Sequence, residues 1–448
     1  MLILSKSNFK IYSNSHVWFP LLAIILRLIP ITADFSYLIL AVYALLGRQQ
    51  IIEALLLSWL FSMLNLSLVP DVEYASFTRY IIILTCFISI FFRFNFRKIE
   101  KITLVTFGLG IFFIIHSIFF SKIPEISILK GLNWIVVIMT LLLTWQDMVS
   151  LEYENMIKQI TRILSIIVLC SMLVLLLSDA GFNLNSRYFQ GLLNHPQAFG
   201  MTAAALGAIF IGQLFVQNRS ILLSVIMIVI CIASIKLSGS RTSGLALISA
   251  VIISSSLLPI HTIKIIKSFF VSVDKIIIVL PLLVLIIILA PGIFDLIISF
   301  MTKTQTDSTN SAIVSFQNSR GVLYEPMIAN ILNTPFKGIG FGLASDLEAM
   351  DIKYFKGIPV SAPIEKGVLP IAVLEEVGVF GFIFFMIWIL ILIKKAIADS
   401  FGALILLLTF LLFNLGEAGL FSANGYGMLY LIIITSVVVK PKLIKNTN

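Results

Sequence analysis

Three arginines stand beside small or polar residues in an otherwise apolar chain: Arg187 in NSRYFQGLLNHPQAFG, Arg241 in SGSRTSG and Arg320 in FQNSRGVLYEPM. A guanidinium never loses its charge and grips phosphate through a two-pronged fork. One arginine at a membrane surface snorkels to lipid headgroups as readily as it binds a ligand. Three on one side would suit a diphosphate there. His195, in Asn194-His195-Pro196, could be a base, a phosphate ligand or an interface residue beside a helix start. Gly338, Gly340 and Gly342 in KGIGFG read as a phosphate-cradling loop without the GKT or GKS ending, or as a tight turn that lets a loop dock closely. The segment IEKGVLPIAVLEEVGVFG places Glu365, Lys366, Glu375 and Glu376 at the entry to a strongly apolar run. Carboxylates there are costly unless paired, hydrated or used. Glu375 and Glu376 point about 100° apart on a helix, so one of them is expected to face the bundle interior.

The elements that must carry these residues are membrane spans. Of 448 residues, 59% are hydrophobic and 12% charged, against roughly 25% charged in a soluble domain. Too few polar residues remain to cover a soluble fold, and the apolar runs are continuous rather than alternating, which excludes a β-barrel. Fourteen such runs extend from 17–33 to 426–440, with 163–180, 274–296 and 377–393 among them. With about 20 residues per crossing, and with some runs short, the expected fold is an all-α polytopic bundle of about 12–14 transmembrane helices. The first run holds Pro20, Arg27 and Pro30 and is expected to be broken or half-buried. Most connections are short. The expected organisation is therefore a membrane bundle at 1–296, one long external loop at 297–370 and a second bundle segment at 371–448. The loop keeps Phe, Tyr, Leu and Ile throughout and is expected to fold onto the membrane domain. It includes a helix-like stretch, Leu323 to Leu332, stopped by Asn333-Thr334-Pro335.

Charge supports the same topology. The net charge is +9, and 18 of the 31 basic residues fall in short alternate connections or tails if the termini are cytoplasmic. The positive-inside rule then accounts for the excess, and neither nucleic acid nor a basic binding patch is implied. Cys86, Cys170 and Cys231 lie within apolar runs, and the four histidines have no ligand spacing, so no disulfide framework and no metal is indicated. The N-terminus leads straight into a span without a cleavage site, and no internal repeat is evident.

At these residues the chain resembles the O-antigen polymerase and O-antigen ligase superfamily of bacterial membrane glycosyltransferases. The resemblance covers about 187–381. It rests on Arg187, Gly191, Asn194-His195-Pro196-Gln197 and Gly200; on Ser240-Arg241; on Ser319-Arg320 with Pro335, Gly338, Gly340 and Gly342; and on Glu365-Lys366-Gly367 with Glu375-Glu376-Val377-Gly378 and Gly381. Ligase-like members carry His-Asn where this chain has Glu365-Lys366, which favours the polymerase branch.

The resemblance implies a GT-C-like bundle in the bacterial inner membrane. It implies a metal-independent glycosyltransferase without a cofactor, acting at the outer face on an undecaprenyl-diphosphate-linked oligosaccharide. A separate chain-length regulator protein is the partner such systems use. Arg187, Arg320 and Arg241 are then expected to bind the diphosphate, with Gly338, Gly340 and Gly342 positioning the loop. Glu365 or Glu375, with His195 as the outside candidate, is expected to take the proton of the acceptor hydroxyl. The alternatives are the ligase itself and, from another class, a multi-span lipid-glycan flippase or transporter. A transporter would place charges deep in mid-span, where Arg27, Lys130 and Lys236 are the ambiguous residues.

Overall fold

The computed structural model describes residues 18–72, 75–176, 178–182, 188–214, 221–258, 322–355, 357–362 and 366–439. Arg187, Arg320, Glu365 and the expected span at 274–296 lie outside the described residues, as does most of the first half of the long loop. The described chain is helical apart from one small hairpin. Its helices are α1 (Trp18–Leu28), α2 (Ala33–Ala44), α3 (Arg48–Ser62), α4 (Ala75–Arg93), α5 (Lys101–Phe120), α6 (Pro124–Asp147), α7 (Ser150–Val174), α8 (Pro196–Leu214), α9 (Ile221–Leu237), α10 (Arg241–Leu257), α11 (Val322–Asn333), α12 (Leu369–Asp399), α13 (Phe401–Phe413) and α14 (Tyr426–Val438). The antiparallel pair β1 (Lys353–Phe355) and β2 (Ile358–Ser361) turns at Gly357. Among the described residues, α5, α6, α7, α8 and α12 are long and apolar enough to cross a membrane.

The ends of the helices sort into two faces. On one face Arg48 pairs with Asp147 and Glu152, Arg93 donates to the Leu45 carbonyl, and Lys395 meets Glu100 at 2.6 Å. The Tyr153 hydroxyl also reaches the Ser436 carbonyl there, at 2.9 Å. This basic face gathers the ends of α2 to α7, α12 and α14. On the opposite face Asn65 bonds Leu192, Asn194 bonds Met63, Leu369 bonds Asn414 and Ala418 bonds Lys366, all through backbone amides and carbonyls. The ends of the described helices therefore alternate between two faces, while Lys158 and Arg162, expected in a connection, lie within α7.

Local sequence explains the elements. Pro124 opens α6 where its missing N–H costs nothing, and Glu125 sits at the positive end of the helix dipole. Deep in α6, Thr140 and Thr144 return their hydroxyls to the carbonyls of Val136 and Thr140, so both are satisfied away from water. α1 and α2 are short and lie antiparallel, with Phe19 and Tyr43 stacked at 5.8 Å. Arg27 is buried at the far end of this pair and donates to the carbonyls of Pro70 and Phe61. α8 and α13 cross where Gly212 and Gly402 meet backbone to backbone, a contact that only hydrogen at Cα allows.

Two helices begin earlier than their apolar runs. α7 starts at Ser150 rather than near 163, because its first three turns are amphipathic, with Met156, Ile160 and Leu164 inward. α12 starts at Leu369 rather than 377, because the charges of Glu375 and Glu376 are neutralised inside the protein.

Candidate active site

The site begins with a broken helix. α12 leaves helical geometry at Gly378, with φ 66° and ψ −174°. The carbonyls freed by the break are taken by the glycine-rich peptide that follows α11. Ile339 and Gly340 donate their amides to the carbonyls of Glu375 and Glu376, each at 2.9 Å, and Val379 donates to Pro335 at 2.9 Å. The His116 Nε2–H of α5 reaches the Lys337 carbonyl at 2.6 Å, and the Lys122 amide, just after α5, reaches that of Ile339 at 2.9 Å. The peptide is thus stitched on both sides, which meets the requirement that backbone polar groups at membrane depth find partners in protein. Gly338, Gly340 and Gly342 all have positive φ. A Cβ on Gly338 would fall on the Glu376 carbonyl, and one on Gly378 would fall on that of Phe336. The close approach therefore excludes side chains from both strands of the contact.

Three charged side chains sit over this junction. The Lys366 ammonium lies 2.8 Å from Glu375 and 2.9 Å from Glu376, and the three residues are 4%, 0% and 5% exposed. Glu375 also accepts from Asn330 at 2.8 Å and from Ser345 at 3.0 Å. Glu376 accepts the Gly342 amide at 2.6 Å, and the Gly342 carbonyl accepts from the Lys130 ammonium, also at 2.6 Å. Two carboxylates share one fixed cation, and a second cation stands one peptide unit away. Buried charges persist only with such pairing and hydrogen bonding.

Glu376 and Lys366 border a cavity of about 490 Å³ at the face opposite the basic one. Arg79 and Lys130, from the second turns of α4 and α6, bring two more cations to it. His195 and Asn194 enter from the start of α8, and residues 418–426 close another side. The Gln197 amide donates to His195 Nδ1 at 3.2 Å. The neutral imidazole therefore carries its proton on Nε2 and presents a donor rather than a lone pair at that nitrogen. Among the described residues, the arrangement offers cationic charge for an anionic group, the carboxylate of Glu376 and the imidazole of His195. Among the described residues, no three His, Cys, Asp or Glu side chains gather as a metal-holding group.

The residues picked from sequence divide as follows. His195 lines the cavity. Glu375 does not, because its carboxylate is fully buried behind Lys366 and Asn330. Glu376 takes the place facing the ligand space. Of the glycines, Gly342 borders the cavity, and its amide is already held by Glu376 rather than open to a phosphate. Arg241 heads α10, away from the cavity lining. Arg187, Arg320 and Glu365 lie outside the described residues, so convergence of the three arginines is not seen. Sequence reasoning missed Arg79, and it weighed Lys130 only as an ambiguous mid-span charge. Their common signal was a cation inside an apolar run within two turns of its start. No protein-family model matches the chain, and no curated protein matches it.

Proposed function

We propose that the chain is a polysaccharide polymerase. In this reading it passes a growing glycan from undecaprenyl diphosphate to a lipid-linked repeat unit, at the outer face of the bacterial plasma membrane. The observation that carries the reading is the cavity at the face away from the basic rim, whose lining brings together Arg79, Lys130, Lys366 and Glu376. The GT-C-like character implied by the resemblance is part of this proposal, as are the O-antigen or capsule setting and a separate length-controlling partner.

Glu376 takes the proton of the acceptor hydroxyl as its oxygen forms a bond to the anomeric carbon of the donor. The bond from that carbon to the diphosphate oxygen breaks, and the diphosphate leaves with the electron pair. Arg79 and Lys130 meet the charge that develops on it, with Arg187 and Arg320 as further cations that the resemblance assigns to this task. His195 donates its Nε2–H and steadies the ligand. It replaces neither base nor cation.

A transporter is less well supported. Arg27 is spent on carbonyls near the site face, Lys130 faces the cavity, and Lys236 is exposed near the end of α9. The cavity also rests on packed rings of Phe113, Trp134, Phe341, Phe385 and Trp388 rather than on a polar path. The ligase reading is weakened by the engagement of Lys366 with both carboxylates.

The test is deletion and complementation. A deletion strain is expected to show single repeat units on lipid carriers and no long chains. Wild-type chain is expected to restore the ladder, whereas Glu376→Gln and the double variant Arg79→Ala/Lys130→Ala are not. Normal-length polysaccharide from both variants, with wild-type amounts in the membrane, would remove the proposal. Block of repeat-unit export in the deletion strain would replace it with a transporter.

A further inference from the structure

The cavity has a second chemistry, which the charged groups do not use. One wall is the segment 418–426 between α13 and α14. This segment is rigidly held. The Asn414 side chain accepts the amides of Gly419 and Leu420 at 2.9 and 2.8 Å and donates to the Phe410 carbonyl at 2.7 Å. The Ala418 amide bonds the Lys366 carbonyl at 3.1 Å. Phe421, partly exposed, packs against four rings: Phe113, Trp134, Phe341 and Phe385, at 5.3, 5.1, 5.4 and 5.7 Å between centroids. Those four are each 2% exposed or less. Phe421 is therefore a platform that cannot be pushed aside. The other cavity residues on this side and next to it are uncharged donors and acceptors: Ser422, Asn424, Asn133 and Asn194.

A fixed aromatic ring that shares a cavity lining with amides and a hydroxyl is suited to a sugar ring. The C–H face of a pyranose covers an aromatic face, and its hydroxyls satisfy the amides around the edge. Ser422 donates to the Asn424 carbonyl at 2.9 Å and Asn194 to the Ser62 carbonyl at 3.4 Å, which fixes these groups and leaves their remaining lone pairs and N–H groups for a ligand. Resting on the polymerase reading above, we propose that the wall at Phe421, Ser422 and Asn424 is the subsite for the first sugar of the lipid-linked glycan. The diphosphate of the same molecule then sits toward Arg79 and Lys130. Recognition is thus divided: the cations hold any lipid diphosphate, and the 418–426 wall tells a glycosylated one from a bare one.

The test is binding to the full chain in nanodiscs, read by native mass spectrometry. The probes are undecaprenyl diphosphate and the same lipid bearing one glucose, galactose or N-acetylglucosamine. Wild type is expected to prefer at least one glycosylated lipid over the bare lipid by about tenfold. Phe421→Ala and Asn424→Ala are expected to lose that preference while holding the bare lipid unchanged, and Phe421→Tyr is expected to keep it. Arg79→Ala/Lys130→Ala should weaken all four lipids together. Equal binding of bare and glycosylated lipids by wild type, or a Phe421→Ala loss shared by all four, overturns the sugar subsite and leaves the diphosphate reading standing. Failure of wild type to bind any of the four overturns both.

Discussion

Glu375 and Glu376 are adjacent in the chain and have different surroundings, which decides their roles. Glu375 gives its oxygens to Lys366, Asn330 and Ser345; Glu376 gives its own to Lys366 and the Gly342 amide, and of the two it alone borders the cavity. Glu376→Gln is expected to lower glycan transfer by about 10²–10⁴-fold, the usual contribution of a positioned base. Glu375→Gln leaves one cation facing one carboxylate and is expected to stay within about tenfold of wild type, since the base is untouched. Quantifying the polysaccharide ladder at matched protein levels separates the two, and equal loss would move the base to Glu375. Lys366→Met strands two buried carboxylates together and is expected to cost about 3–5 kcal/mol, read as a lower melting temperature in detergent. His195→Gln keeps an N–H near the position of Nε2 and is expected to retain most activity. His195→Ala is expected to lose about tenfold, one hydrogen bond's worth. At this scale the sequence identified types well and partners poorly. Lys366 was visible as one of four charges at the entry to an apolar run and as a departure from His-Asn, but nothing in its spacing shows that one ammonium serves two carboxylates.

At the scale of elements, the junction between the glycine-rich peptide and broken α12 is the feature most exposed to a test. Gly338→Ala and Gly378→Ala each force a methyl group onto a carbonyl of the opposing strand and demand a left-handed backbone. Each is expected to destabilise by about 1–3 kcal/mol from overpacking alone, with faster proteolysis near residues 335–345. Gly108→Ala, with open space around it in mid-helix α5, is the neutral control. The apolar runs made α5, α6, α8, α13 and α14 easy to place, since each is a stretch of near-uniform hydropathy. The first three turns of α7 and the first two of α12 were hidden because charge interrupts them. In α7 the charges line one face, and in α12 they are neutralised by Lys366, a residue outside the helix. A break at Gly378 leaves no trace in periodicity, as glycine is common in membrane helices.

For the molecule as a whole, the two faces make a claim about sidedness. In a variant lacking Cys86, Cys170 and Cys231, a cysteine at Ser422 is expected to react with an impermeant maleimide applied to intact spheroplasts. One at Arg97 is expected to react only after permeabilisation; the reverse pattern would put the cavity in the cytoplasm. The basic rim was legible because it follows from counting lysines and arginines. The cavity was not, because it is assembled from α4, α6, α8, α12 and the segment before α14, residues far apart in the chain whose meeting no local pattern records. The junction at Gly378 also bears on how the protein is made. The peptide 335–340 leaves the ribosome before Leu369–Val377 does, so it is already made when the first half of α12 emerges. That half-helix completes its backbone bonding only against this earlier segment. The backbone bonds of Glu375, Glu376 and Val379 therefore close onto a partner synthesised earlier in the chain, and the order of synthesis matches the order in which this junction can form.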